Sequence, residues 1–345
     1  MPLNDLPVSE LRAYRSAATE PADFDEFWAT TLAQVREHPM TVRSEPVDAG
    51  LRLVDVADVT FPGFGGHPIR AWLIRPAHTP EPLPVVVGFQ GYGGGRGLPH
   101  EHLVWTTAGY AHLFVDTRGQ GSVWGSGGVT ADPVGSGPAG PGMMTRGITD
   151  PAEHYFRRLF VDAVRAVDAV RTLPGIDPSR VAVTGTSQGG GMALAVAGLV
   201  PDLAAAMVNV PFLCDFRRAS EIADSEPYEE IVRYLAVHRD QVDTVFRTLS
   251  YLDGVSFARR AHAPALFSVA LMDPICPPST VYAAYNGYGE LTGRPPTDIV
   301  EYPFNRHEGG DGHHLVRQLS WLADRWTSPP DTGRDDVVTH LERTP

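Results

Sequence analysis

The stretch Val181-Ala182-Val183-Thr184-Gly185-Thr186-Ser187-Gln188-Gly189-Gly190-Gly191 constrains this chain more than any other. A short apolar run enters Gly-x-Ser-x-Gly and leaves through Met192-Ala193-Leu194-Ala195-Val196-Ala197, which reads as a helix. Strand, tight turn and helix in that order lift a serine hydroxyl above the edge of a sheet. Glycines are needed beside it because a side chain there would collide with the neighbouring strand and helix. The helix that follows offers backbone N–H groups and the positive end of its dipole where an anionic oxygen would form. A glycine-rich turn with an incidental serine is the bland alternative, and the strand before and helix after weigh against it.

The rest of the chain supplies a frame for such a turn. Residues 83–87, 112–115, 181–183, 206–208 and 265–269 are short, mostly apolar runs, and helical periodicity separates several of them, most clearly over 155–173. Buried runs alternating with helices predict an α/β protein of the α/β-hydrolase type, with a mostly parallel central sheet and helices on both faces. Before it, 51–59 and 69–74 alternate in polarity around the turn-rich 62–66 and predict an antiparallel hairpin. Over about 1–40 a helical extension is expected, and one domain over 1–326. Residues 121–147 are crowded with glycine and proline and predict a long loop, functional or interface-forming. Helix is expected over 228–245, in a segment (214–252) that is placed to act as a lid, and again over 314–326. The remainder, 327–345, is a polar tail.

In this fold an acid and then a histidine follow the serine, each just past a later strand. Asp273 follows the run 265–270, and His307 follows the candidate strand 299–303. Ser187 is therefore the candidate nucleophile, His307 the general base and Asp273 the group that fixes the imidazole tautomer. His313 and His314 are nearby rivals that read as helix-start residues. Asp311 with those two histidines makes a weak metal pattern, and Pro99-His100-Glu101-His102 is not the His-Glu-x-x-His of a zinc protease. No metal and no cofactor are expected. The glycines of Gly91-Tyr92-Gly93-Gly94-Gly95 lack the order of a dinucleotide loop. They suit an oxyanion hole instead, made by the backbone N–H of Tyr92 with that of Gln188.

Composition closes off other classes. A net charge of −13 argues against nucleic-acid binding, and no apolar run approaches a membrane span. Two distant cysteines, Cys214 and Cys276, give no disulfide framework, and the N-terminus does not read as a signal peptide. A cytoplasmic location follows as an expectation.

These residues resemble the acetyl xylan esterases and cephalosporin-C deacetylases of carbohydrate esterase family 7, over 3–326. The resemblance rests on Arg118-Gly119-Gln120, Gly185-Thr186-Ser187-Gln188-Gly189 and His307-Glu308, with further similar strings at 211–218, 246–251 and 275–280. It implies removal of acetyl groups from short xylooligosaccharides and cephalosporin C, and a cytoplasmic homohexamer with 121–147 at its interfaces. It assigns the triad and oxyanion roles to the residues named above, and gives Arg118, Gln120 and Glu308 supporting positions. Arg306, before the histidine, and Asp311-Gly312-His313-His314 depart from the family pattern. A small acyl pocket is expected from Phe212, Pro227 and Ile275, with Trp105 near the entrance. Other small-ester or lactone hydrolases of the same fold, prolyl-type peptidases and a fold that has lost its chemistry remain alternatives; a peptidase lacks room here for its accessory domain.

Overall fold

The computed structural model of the chain describes residues 5–134 and 142–327. The polar tail from 328 and the middle of the glycine- and proline-rich loop, 135–141, lie outside the described residues. Nine strands form one sheet: β1 (Arg43–Val47), β2 (Val54–Pro62), β3 (Pro68–Pro76), β4 (Leu83–Phe89), β5 (Ala111–Val115), β6 (Ile176–Thr186), β7 (Ala205–Asn209), β8 (Ala265–Ala270) and β9 (Thr297–Tyr302). Their order is β1-β2-β3-β5-β4-β6-β7-β8-β9. Pairing is antiparallel at β1–β2, β2–β3 and β3–β5, and parallel from β5 through β9. This is the α/β-hydrolase architecture, and the expected hairpin is its β2–β3 pair.

Among the described residues eleven α-helices accompany the sheet: α1 (Val8–Leu11), α2 (Phe24–Arg36), α3 (Val104–Thr107), α4 (Tyr155–Val170), α5 (Gln188–Leu199), α6 (Phe216–Ile222), α7 (Glu229–Val237), α8 (Val242–Ser250), α9 (Gly254–Arg259), α10 (Pro278–Gly287) and α11 (Asp311–Thr327). Strand alternation sorts the apolar residues between two layers. Val85, Val87, Val181, Val183, Ala206 and Val208 face the larger core, built with α4, α5 and α9. Val86, Ala182 and Met207 face the opposite side, where Trp105 of α3 and Leu322 of α11 cover them. Each fully buried branched or aromatic side chain contributes about 1.5–3 kcal/mol. The central strands therefore hold the rows above them firmly in register.

Two helix boundaries differ from the expectation. The helix expected over 228–245 is two helices, α7 and α8, because His238 leaves helical backbone at φ −99° and ψ 65° within the polar step His238-Arg239-Asp240. Tyr234 donates its hydroxyl to Gln241 Oε1 across that break, at 2.7 Å. The helix expected from His314 starts three residues earlier, at Asp311. Strand β1 was not anticipated at all. It is an exposed edge with the sequence Arg-Ser-Glu-Pro-Val and carries no apolar alternation.

Candidate active site

The turn between β6 and α5 has the backbone that its sequence demands. Ser187 sits at φ 61° and ψ −119°, a conformation that L-residues rarely adopt and that holds its side chain proud of the sheet. A Cβ on Gly185 would lie 2.3 Å from the Gly189 carbonyl, and one on Gly189 would lie 2.3 Å from the Phe89 carbonyl oxygen. No side chain fits at either place. The turn is pinned at three points: Ser187 N–H donates to the Asn209 carbonyl (3.0 Å), and the Ser187 carbonyl accepts from Gly191 (3.0 Å) and Phe212 (2.9 Å).

Asp273 follows β8 and is buried, whereas His307 lies in the loop after β9 and is partly exposed. His307 Nδ1 lies 2.9 Å from Asp273 Oδ2, and Asp273 Oδ1 accepts from the N–H groups of Ile275 (2.8 Å) and Cys276 (3.0 Å). A carboxylate only accepts, so Nδ1 carries the proton and Nε2 presents a lone pair. No hydrogen bond joins Ser187 to His307 among the described residues. The buried thiol of Cys276 stands at the same corner, and burial pushes its pKa up. Cys276 Sγ, an Asp273 carboxylate oxygen and a His307 ring nitrogen all lie within 4.8 Å of one another. Glu308 staples the histidine loop by accepting from Asn305 Nδ2 (2.8 Å) and Arg306 N–H (3.0 Å), and those bonds hold its carboxyl below its ordinary pKa.

The opposite wall is the loop after β4. Gly91 N–H is taken by Gln90 Oε1 (2.9 Å) and Gly93 N–H by Gln120 Oε1 (2.6 Å). The Tyr92 N–H between them has no acceptor among the described residues. Gln188 opens α5, so its N–H is one of the unpaired donors of a helix start. Gln120 joins the two donors through its amide, since Nε2 reaches Gln188 Oε1 (2.9 Å) and Tyr155 OH (3.0 Å) while Oε1 holds Gly93. Tyr155 in turn donates to the Arg118 carbonyl at 2.6 Å. The buried Arg118 guanidinium is paired with Asp162 (2.5 Å) and Asp132 (3.2 Å), which fixes the start of this segment.

Both walls open onto one cleft of about 1010 Å³, lined among others by Tyr92, Trp124, Ser187, Pro227, Ile275 and His307. Pro227 and Ile275, expected above in an acyl pocket, are thus cleft residues. Phe212 is not: it is fully buried with its ring edge-on to Tyr228 at 4.4 Å and to Tyr92 at 6.2 Å, and it supports the wall from behind. Trp105 lines the cleft but not its entrance. It is 6% exposed and packs in the layer with Val86, Ala182 and Met207, so it forms an inner wall. His314 is buried and paired with Asn209 Oδ1 (3.0 Å) and Tyr302 OH (3.1 Å), while His313 is exposed; neither bonds to Asp273.

The family model described as Acetyl xylan esterase (AXE1) matches residues 1–325. The chain belongs to the acetyl xylan esterase family. Among solved acetyl xylan esterases, that of Paenibacillus sp. R4 is 39% identical, with a TM-score of 0.87 over 92% of this chain and 99% of its own. Acetyl xylan esterase 1 of Thermoanaerobacterium sp. JW/SL YS485 is 31% identical, with a TM-score of 0.85 over 94% of this chain and 100% of its own. The curated acetyl esterase Axe7A of Xylanibacter ruminicola is 28% identical over 316 residues, 88% of this chain. The chain spans 66% of that relative's length.

Sequence reasoning missed several residues of this esterase-family site. Trp124 donates its indole N–H to the Tyr92 carbonyl at 2.6 Å, and Glu230 accepts from the Tyr92 hydroxyl at 2.6 Å. Trp124 is hidden in a glycine-rich loop and Glu230 in a helix far along the chain, so spacing alone signals neither. Cys276 had a signal, being three residues after Asp273 in a string shared with the family.

Proposed function

We propose that the chain hydrolyses acetyl esters of short xylooligosaccharides and related small acetyl esters, including cephalosporin C, through an acetyl-enzyme on Ser187. The observation that carries this reading is the strained Ser187 turn opening into the same cleft as Tyr92 and as His307, which Asp273 holds from behind. Ser187 first turns its hydroxyl to His307 Nε2, a step between staggered rotamers. As Oγ attacks the ester carbonyl, Nε2 takes its proton, and the new oxyanion faces the N–H groups of Tyr92 and Gln188. Asp273 stabilises the resulting imidazolium. Nε2 then gives the proton to the departing sugar oxygen, leaving acetyl-Ser187. A water, deprotonated by the same nitrogen, releases acetate and restores the serine.

The decisive assay is acetate release from acetylated xylooligosaccharides and cephalosporin C by wild type and Ser187→Ala. Release by the first and background release by the second is expected. Labelling of Ser187 by a fluorophosphonate without any acetate release would keep a serine hydrolase and discard this substrate class.

The same reading includes a cytoplasmic homohexamer. Its support is the family resemblance together with Val123 (79% exposed), Trp124 (48%) and Val129 (65%), apolar side chains that burial between copies would cover. Light scattering on the purified chain tests it, and a monomer would discard it. Both cysteines are buried and unpaired, as a reducing compartment allows. No described helix is long and apolar enough to cross a membrane.

A further inference from the structure

Among the described residues, each polar group of Tyr92 except its own N–H has a partner. Its carbonyl accepts from the Trp124 indole, and the N–H groups on either side are taken by Gln90 and Gln120. The remaining handle is the phenol. It donates to Glu230 Oε1 at 2.6 Å and accepts from the Met143 N–H at 2.5 Å. Glu230 Oε2 accepts from the Met144 N–H at 3.0 Å. One side chain of α7 thus joins the oxyanion loop to the far end of the glycine-rich loop, from 138 and 86 residues away in the chain.

A carboxylate in that place is costly. Glu230 is buried, burial pushes its pKa above the ordinary range, and Arg233 of the same helix pairs with Glu226 instead. An apolar side chain would pack there at less expense, so its two acceptor oxygens are what the position needs. A glutamine would turn an N–H toward one of the two donors. The glycine-rich loop is shaped to the carboxylate as well. Gly142 has φ +94°, and a Cβ there would lie 2.1 Å from Glu230 Oε1. No side chain fits between them.

We infer that Glu230 is a positioning residue for acyl transfer: by holding the Tyr92 phenol from α7, it aims the Tyr92 backbone N–H at the oxygen that becomes anionic. Such a donor must be in place before charge develops, so a loosened phenol costs transition-state stabilisation more than substrate binding. The Glu230 N–H also donates to the Pro227 carbonyl at 3.2 Å. The turn that carries Pro227 into the cleft therefore carries the clamp too. This role rests on Ser187 forming an acyl-enzyme and adds the side chain that sets one of its donors.

The test compares Glu230→Gln, Tyr92→Phe and their double variant in 4-nitrophenyl acetate hydrolysis, with methylboronic acid as a probe. The boronic acid adds to Ser187 Oγ and presents a tetrahedral oxygen where the oxyanion forms. Each single variant should lose roughly tenfold in kcat with KM little changed, and boronate inhibition should weaken by about the same factor. The double variant should lose no more than either single one, because both break the same contact. Gly142→Ala, which drives a methyl into the carboxylate from the loop side, should shift kcat and boronate inhibition the same way. Tyr234→Phe removes the bond to Gln241 at the other end of α7; it should lower the melting temperature and leave both readouts unchanged. Unchanged kcat and boronate inhibition in Glu230→Gln, or losses that multiply in the double variant, overturn the positioning role while acetyl-ester turnover stands. If Glu230→Gln does not fold, Tyr92→Phe and Gly142→Ala decide by the same readouts. Absence of Ser187-dependent turnover of any acetyl ester is a separate outcome, which overturns the esterase reading and this role with it.

Discussion

The two walls of the cleft are built differently. On the oxyanion side, Gln90, Gln120, Gln188 and Tyr155 form a connected set of neutral hydrogen bonds, backed by buried Phe212 and Tyr228. On the histidine side, His307 is held by one bond to Asp273, in a loop whose Phe304 is 84% exposed and whose Arg306 faces solvent. A donor that stabilises developing charge works best when it does not reorganise. A base must instead meet the serine, the leaving oxygen and water in turn. The rigid wall suits the first task and the loosely held one the second.

That contrast breaks or sharpens under substitution. The largest effect is expected for His307→Ala, with kcat/KM down about 10⁴-fold and KM little changed; a loss below tenfold in steady-state kinetics would move the base elsewhere. Gln120→Ala removes bonds to Gly93, Gln188 and Tyr155 together, and its kcat should fall about 10²-fold with a lower melting temperature. A fall in KM affinity alone, with kcat intact, would mean that the bridge does not position the donors.

A third effect reaches the whole fold. Burial pushes the pKa of His112 and His314 down to about 4 and that of His154 to about 3. The folded chain keeps these rings neutral while the unfolded chain protonates them below about 6.5, so their contribution is complete above that pH and is lost as pH falls toward 4. At pH 5 the loss is on the order of 2 kcal/mol per ring. Asp253, pushed up to about 7 by burial, acts in the opposite sense over its own window, stabilising the fold as pH falls below 7. Burial also raises Asp215 and Glu230 and lowers His67 and His102, and with five histidines against three such carboxyls the urea midpoint should drop between pH 7 and pH 5. The smallest effect is expected for Glu308→Ala: loss of two exposed bonds should change kcat/KM by about threefold or less. A hundredfold loss in that variant would show the histidine side to be as tightly organised as its opposite.

Much of the fold is legible in the sequence. Runs such as 85–87 and 181–183 declare themselves because a strand covered on both faces has no polar residue to confuse the pattern. Strand β1 is unreadable for the converse reason, since its residues face solvent on a sheet edge. The serine, acid and histidine follow from a turn whose chemistry is local and from strand ends that set their order. Phe212 was misplaced because apolar character does not distinguish a residue lining a cleft from one propping its wall. The bridge by Gln120 spans 27 residues to Gly93 and 68 to Gln188, and only the family resemblance pointed toward it.

That bridge is an amide. Its bonds carry no net charge, so dissolved ions screen them little and acid or alkali cannot dismantle them by proton exchange. The distance between the two donors should then stay the same in brine and in dilute buffer, and any salt sensitivity of the rate must enter through the other wall.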